Sequence, residues 1–273
     1  MSIRKDVAHL DQTAVLDTAA KFFRVMKNAG VPFDAWKLPN QDKEARKRLA
    51  AFMNAGCPDF VKQKQSLEGW DESNLAENIF GGRFVSVAEA AKAWKGKLKY
   101  GRRLSARLNE ALPGAEALRG ISGSHVLVPL PPRPMSLIEM RDLAPGMFRS
   151  DNCWYEDGGE KFFRNDRTGE GWIALLEGPV SGSLDRPWDR QEKMVPAGGP
   201  DTIPNAPSFA WALLTYLRAR NIRLFTPFYG RTSSVASSNF PVGLGFDADG
   251  LNLVSYWVGH PGVGVASARI VPL

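Results

Sequence analysis

The chain has few of the residues that most often announce chemistry. Its 273 residues include two cysteines, Cys57 and Cys153, far apart and in no CxxC pattern, so neither a disulfide scaffold nor a zinc ribbon is expected. Both are expected as free thiols in a reducing compartment. The three histidines, His9, His125 and His260, form no HExxH or HxH pair, and no metal site is expected. No GxxxxGK[ST] loop is present, and the pairs Gly243-Leu244-Gly245 and Gly262-Val263-Gly264 lack the third glycine of a dinucleotide turn. No cofactor is therefore implied. Asp247-Ala248-Asp249-Gly250 begins like a calcium loop, but no Glu closes it, and a hairpin turn explains it. No apolar stretch approaches the ~18 residues of a membrane span. The segment Met1–Leu10 carries Arg4, Lys5, Asp6 and His9 without an apolar core, unlike a secretory signal. The expectation is a cytoplasmic protein by default with no membrane association, and display on a phage or cell surface stays open.

At 44% hydrophobic and 23% charged, the chain has the composition of an ordinary globular protein. Its net charge of +6 is uneven: residues 1–120 hold 21 Lys and Arg against 14 Asp and Glu, whereas residues 121–273 hold 14 against 15. Gly and Pro concentrate in the second part. This predicts a basic, helical N-terminal domain over 1–120, a proline-rich linker with lead-in strands over 121–164, and a strand-and-loop domain over 165–273.

Helical spacing joins Val15, Leu16, Ala19, Phe22, Phe23 and Met26, and a second helix is expected to start at Asn40, face Leu49, Phe52 and Met53 inward, and end at Gly56-Cys57-Pro58. Ser86-Val87-Ala88-Glu89 fits a capping box that opens a third. Val126, Val128 and Leu130 alternate like a strand before Pro129-Leu130-Pro131-Pro132-Arg133-Pro134 breaks regular structure. Lys161–Arg164 and Gly171–Leu176 are expected as strands. A helix is expected from Pro207 to Arg220, capped by Asn205, with Phe209, Leu213, Leu214 and Leu217 on one side. Phe240–Phe246 and Leu251–Leu253 should form an antiparallel hairpin around Asp247–Gly250, with Val242, Leu244, Phe246, Leu251 and Leu253 inward. Gly264–Val271 should close the chain as one strand. The fold class is α+β, with a small antiparallel sheet and long loops.

Among side chains that could carry chemistry, Ser233, Ser234, Ser237 and Ser238 stand in no GxSxG, and nothing pairs them with a base. The pairs Asp185/Asp189 and Glu156/Glu160 are flanked by cations and look like solvated charge. One charge run is strong: Lys92, Lys95, Lys97, Lys99, Arg102, Arg103 and Arg107, interleaved with Trp94 and Tyr100. Such a run suits a solvated helix face, an acidic protein, or nucleic acid, where cations neutralise phosphates and an aromatic ring stacks on a base. In the nucleic-acid reading the contact residues are Lys95, Lys97, Lys99, Arg102 and Arg103.

The string Gly230-Arg231-Thr232-Ser233-Ser234-Val235-Ala236-Ser237-Ser238-Asn239 leads into Gly245-Phe246-Asp247 and Gly250-Leu251-Asn252, and Val265-Ala266-Ser267-Ala268-Arg269 ends it. Over about residues 165–273 this order resembles C-type-lectin-fold variable proteins of diversity-generating retroelements, and related uncharacterised proteins of uncultured bacteria. The Pro207-Ser208-Phe209-Ala210-Trp211 helix start also stands where those proteins carry a Pro-initiated helix. Arg231 replaces the Trp that often opens the Ser-rich turn, and the Glu-Pro-Asn and Trp-Asn-Asp signatures of calcium-dependent sugar binding are absent. The resemblance implies a C-type-lectin-like domain in a non-enzymatic ligand-binding protein whose partner is a protein or another macromolecule. The contact residues it implies are Ser237, Asn239, Asn252, Ser255, Tyr256, Trp257 and His260, displayed from an inward aliphatic scaffold.

Overall fold

The computed structural model describes residues 72–151, 153–157, 159–255 and 262–273. The expected helices around 15–26 and 40–53, and Cys57, lie outside the described residues. The described part is α+β. Its helices are α1 (Glu72–Phe80), α2 (Val87–Ala93), α3 (Arg102–Glu110), α4 (Ala115–Ser122), α5 (Leu137–Leu143), α6 (Trp154–Asp157), α7 (Lys161–Asn165), α8 (Trp188–Lys193) and α9 (Ala206–Arg220). The strands are β1 (His125–Pro129), β2 (Trp172–Leu176), β3 (Tyr229–Val235), β4 (Pro241–Asp247), β5 (Gly250–Ser255), β6 (Val263–Val265) and β7 (Ala268–Val271).

These strands make two sheets, ordered β1-β2-β7 and β5-β4-β3-β6. The first is antiparallel throughout. In the second, β3, β4 and β5 form an antiparallel meander whose hairpin register sets Phe246 opposite Leu251 and Val242 opposite Ser255. The pairing of β3 with β6 is parallel, which corrects the expectation of a purely antiparallel sheet. The expected single closing strand is also corrected. It breaks at Ala266–Ser267: the Ala266 amide bonds the Arg231 carbonyl in one sheet, and the Ser267 carbonyl accepts from the Leu176 amide in the other. One short run thereby serves both sheets.

Local signals hold where a side chain satisfies helix-end amides. Ser86 with Glu89 closes a capping box at α2, and Ser136 with Glu139 closes another at α5. Asn205 caps α9, accepting from the Ser208 amide, and Pro207 sits in its first turn. The one-sided reading of α9 is corrected, however: every residue from Ala206 to Tyr216 is buried. The helix packs on strands of both sheets and on α2 and α5, so it has no solvent face over that length. The Lys161–Arg164 strand is corrected to helix α7, which buries Phe162 and Phe163 together.

The expected boundaries at 120 and 164 are not where the chain divides; residues 70–273 form one compact unit. Phe80, Phe84, Leu108, Leu118 and Ile121 join Leu127, Trp172 and Ala174 in one cluster, so the helices before 120 cover a face of β1 and β2. The proline run is no free linker: Leu130 and Pro131 are buried, and the Leu130 amide bonds the Gly171 carbonyl at 2.8 Å. Indole N–H groups tie the layers together, Trp211 to the Pro129 carbonyl (2.8 Å) and Trp172 to the Leu108 carbonyl (2.7 Å).

Candidate functional site

The β4–β5 hairpin supplies a rigid base. Val242, Leu244, Phe246, Leu251 and Leu253 are all buried, as their alternation predicts. Its turn end is locked by a polar cluster around Asp247. The carboxylate accepts from the Tyr229 hydroxyl, from Asn252 Nδ2 at 2.8 Å and from Arg149 at 2.6 Å, and Arg149 also holds Asp151. Asp151 is kept below the usual carboxylate range by its hydrogen bond from Arg149. Arg223 closes the turn from outside, donating to the Asp247 carbonyl at 2.6 Å. Asn252 is therefore a structural residue, 3% exposed, and its place on the display surface is corrected. A buried amide needs its partners, and Asp247 and Tyr229 supply them.

The loop between β3 and β4 gives the opposite picture. Ser237, Ser238 and Asn239 are exposed. The loop is pinned from beneath by Glu160, which is buried and accepts from both the Ser237 amide (2.8 Å) and the Ser237 hydroxyl (2.6 Å). Asn239 takes the left-handed conformation (φ 61°) in a turn closed by the Asn239 amide on Ala236, a conformation Asn tolerates better than most residues. Ser238 and Ser255 hydroxyls meet at 3.2 Å, bringing this loop against the end of β5. Ser237, Asn239 and Ser255 are thus gathered at one edge of the second sheet. Tyr256, Trp257 and His260 lie outside the described residues.

No family model, no curated protein and no solved structure matches this chain.

Around the same fold, other polar groups are committed to structure. Ser234 bonds the Asp166 carboxylate and accepts from the Ala206 amide at 2.9 Å, which fixes the start of α9. Arg231 is 1% exposed and donates to Gln191 at 2.8 Å and to the Arg186 carbonyl at 3.2 Å; burial holds its pKa below the usual guanidinium value. Sequence reasoning missed Glu160, Asp247 and Gln191 as organising residues. Glu160 stands 77 positions from the loop that it pins, so no spacing rule could have joined them.

Two places resemble reaction sites in residue type only. His125 Nδ1 lies 2.9 Å from the Ser124 hydroxyl, but its Nε2 is 3.9 Å from Asp201, beyond hydrogen-bond reach. Burial lowers the His125 pKa, and Asp201 is already engaged by Arg269 at 2.9 Å. A surface depression of about 410 Å³ is lined by Arg141, Arg149, Cys153 and Glu156 among others. There Arg141 is paired with Glu156, and Arg149 with Asp151 and Asp247, so the cations are neutralised by their own neighbours. Among the described residues, no three His, Cys, Asp or Glu side chains gather as a metal site, and no helix is long and apolar enough to cross a membrane.

In the basic run, Lys95, Lys97, Lys99, Arg102 and Arg103 are all exposed, whereas the aromatic partners expected beside them are not available. Trp94 is fully buried, and its indole N–H bonds Thr215 at 2.9 Å. The Tyr100 hydroxyl bonds the Leu130 carbonyl at 2.9 Å, and burial pushes the pKa of this phenol well above its usual value. The base-stacking role expected of Trp94 and Tyr100 is corrected.

Proposed function

We propose that the C-terminal part of this chain is a non-enzymatic binding module of C-type-lectin-like type, engaging a protein or another macromolecule. Its contact surface lies at the edge where the β3–β4 loop meets the end of β5. The observation that supports this most is the division of roles within a single meander. The aliphatic and aromatic rows of β4 and β5 are buried, while Ser237, Ser238 and Asn239 stand in water on a loop anchored by Glu160. A loop held at its base and free at its tip can change side chains at little cost in stability, which is what a recognition surface requires. The surface retains Ser237, Asn239 and Ser255, extends to Tyr256, Trp257 and His260 on sequence grounds, and loses Asn252 to the core.

The hydroxyls fit a binding role better than a nucleophilic one, because Ser234 and Ser237 donate to carboxylates and Ser238 meets another serine. Two measurements test the reading. The first is binding of the labelled chain to protein and glycan arrays, with a Ser238→Arg variant, at the exposed tip of the loop, as control. Saturable signals that disappear in the variant, at unchanged thermal midpoint, are expected; no signal, or equal signals, would overturn the reading. The second concerns the diversified-protein reading in particular, which expects a template copy of this coding region beside a reverse transcriptase gene, differing chiefly at adenines.

A further inference from the structure

From Ala90 to Asn109 the chain holds seven cations and no carboxylate in twenty residues, the densest one-signed stretch in the described residues. The structure resolves what this stretch does with its two kinds of side chain. Its aromatic groups are turned into the core: Trp94 lies between the Trp211 ring (centroids 4.6 Å apart, 4° between planes) and the Arg218 guanidinium (4.9 Å), and Tyr100 is tied to Leu130. Its cations are turned out: Lys92, Lys95, Lys97, Lys99, Arg102, Arg103 and Arg107 are all exposed. Among the described residues none of the seven has an ion-pair partner, and only the Lys97 side chain has a hydrogen bond, to the Leu143 carbonyl at 2.7 Å.

Elsewhere this chain spends its arginines differently, with Arg83 on Glu177, Arg133 and Arg167 on Glu139, and Arg220 on Glu89. Other described cations without an ion pair, such as Arg119, Lys161 and Lys193, stand apart from one another in the sequence, so what sets 92–107 apart is seven together. Its placement also costs stability. Arg102 and Arg103 occupy the first turn of α3, which has no acidic residue and no side-chain cap, so two positive charges sit at the positive end of the helix dipole. A phosphate there would relieve both the repulsion and the free amides.

We propose that the surface of residues 92–107 binds the phosphate backbone of double-stranded nucleic acid without reading its sequence. This goes beyond the recognition surface proposed above and does not depend on it. Duplex is favoured over single strand because single-strand binding draws on aromatic platforms for exposed bases, and this segment buries Trp94 and packs the half-buried Tyr100 on the core with its hydroxyl on Leu130. The neutralised charge then supplies the affinity by releasing counterions, and affinity falls steeply with salt.

The test is fluorescence anisotropy of the full chain with a labelled duplex of about 20 bp and with one of its strands alone, between about 50 and 200 mM salt. For the duplex, log K against log salt should slope at about −0.9 per phosphate contacted, as steep as about −6 if all seven cations engage. A Lys95→Gln/Lys97→Gln/Lys99→Gln/Arg102→Gln/Arg103→Gln variant should bind at least about 100-fold more weakly at the lowest salt and show a shallower slope. Circular dichroism checks its fold, and Arg102→Gln/Arg103→Gln alone, with smaller risk to folding, should still flatten the slope by about 2. Absence of duplex binding at the lowest salt overturns the proposal, as does wild-type affinity in both variants. A single strand bound about 10-fold tighter than the duplex overturns it too, since that would require base stacking.

Discussion

The indole of Trp94, at the C-cap of α2 in the basic half of the chain, lies flat on the indole of Trp211 in α9, 4.6 Å away and 4° from parallel. The contact joins α2 to the central helix, and the Trp94 N–H adds a buried hydrogen bond to Thr215. A ring so placed stabilises the fold through its area and its pairing. Trp94→Ala should destabilise the protein by about 3–5 kcal/mol, read from denaturant midpoints, the range for removing a buried aromatic. Trp94→Phe should recover part of that loss while still lacking the hydrogen bond. Mutant stability near wild type would mean that the ring is not a core element.

Asn252 offers a second contrast between exposed and structural polarity. Its amide is buried and donates to the half-buried Asp247 carboxylate and to the Tyr229 hydroxyl, so Asn252→Ala removes a hydrogen bond to a charged group and leaves a gap where the amide packs. The expected cost is about 1–3 kcal/mol. Ser238→Ala and Ser233→Ala, at exposed positions, should each stay within about 0.5 kcal/mol of wild type. Equal effects from buried and exposed positions would contradict the assignment of Asn252 to the core.

What the sequence made legible was chemistry within a few residues. Ser86 and Glu89, Asn205 and Ser208, and the Asp247–Gly250 turn each complete their hydrogen bonds locally, so spacing alone reveals them. The inward row of the β4–β5 hairpin was legible for the same reason, because strand alternation is a local rule. What escaped was everything decided by distant partners. Asn252 looked like a display residue because small polar groups usually face water, and only the hairpin fold brings it to Asp247 and Tyr229. Lys161–Asn165 carries two adjacent phenylalanines and no period, and burial of both rings in a helix cannot be told from a strand in so short a run. The proline run looked like a linker because proline breaks regular structure. Yet Leu130 and Pro131 are buried, with the Leu130 amide on Gly171 and its carbonyl on the Tyr100 hydroxyl, contacts between segments that composition cannot pair. Of the candidate surface, Ser237, Asn239 and Ser255 were legible as polar residues beside a strand, but Glu160, which anchors them, was not.

Glu139 predicts a pH dependence. Burial pushes its pKa up but is outweighed by hydrogen bonds from the Ser136 backbone, Arg133 and the Ser136 hydroxyl, which together bring it from the usual 4.5 down to about 2. Arg167 bonds the same carboxylate. The folded-state pKa is depressed, so the unfolded chain binds the proton more readily across that window. Stability from this group is present above 4.5 and is lost as pH falls toward about 2. In Glu139→Gln the acid-side loss of stability should be shallower, measured as denaturation midpoints at a series of pH values. An unchanged slope would show that the carboxylate is not held ionised by these partners.

Gly245 stands on the face of β4 opposite Leu244 and Phe246, where the side-chain row is interrupted. A Cβ built there would lie 2.6 Å from the Phe228 carbonyl oxygen and 2.9 Å from the Tyr229 ring. The first of these is backbone and cannot swing aside, so the meander must shift to admit even a methyl group. That shift would act on Tyr229, whose hydroxyl holds Asp247, and through it on the turn that orients the end of the hairpin. Gly245→Ala should therefore cost about 1–3 kcal/mol, the usual range for overpacking a tight site. Gly262→Ala makes the informative comparison, because a Cβ there meets nothing within 4 Å but the backbone is left-handed at φ 74°. Its penalty should come from conformation alone and stay near about 1 kcal/mol. If thermal melts gave Gly245→Ala the smaller loss of the two, the close approach of β3 to β4 would not be what excludes a side chain at this position.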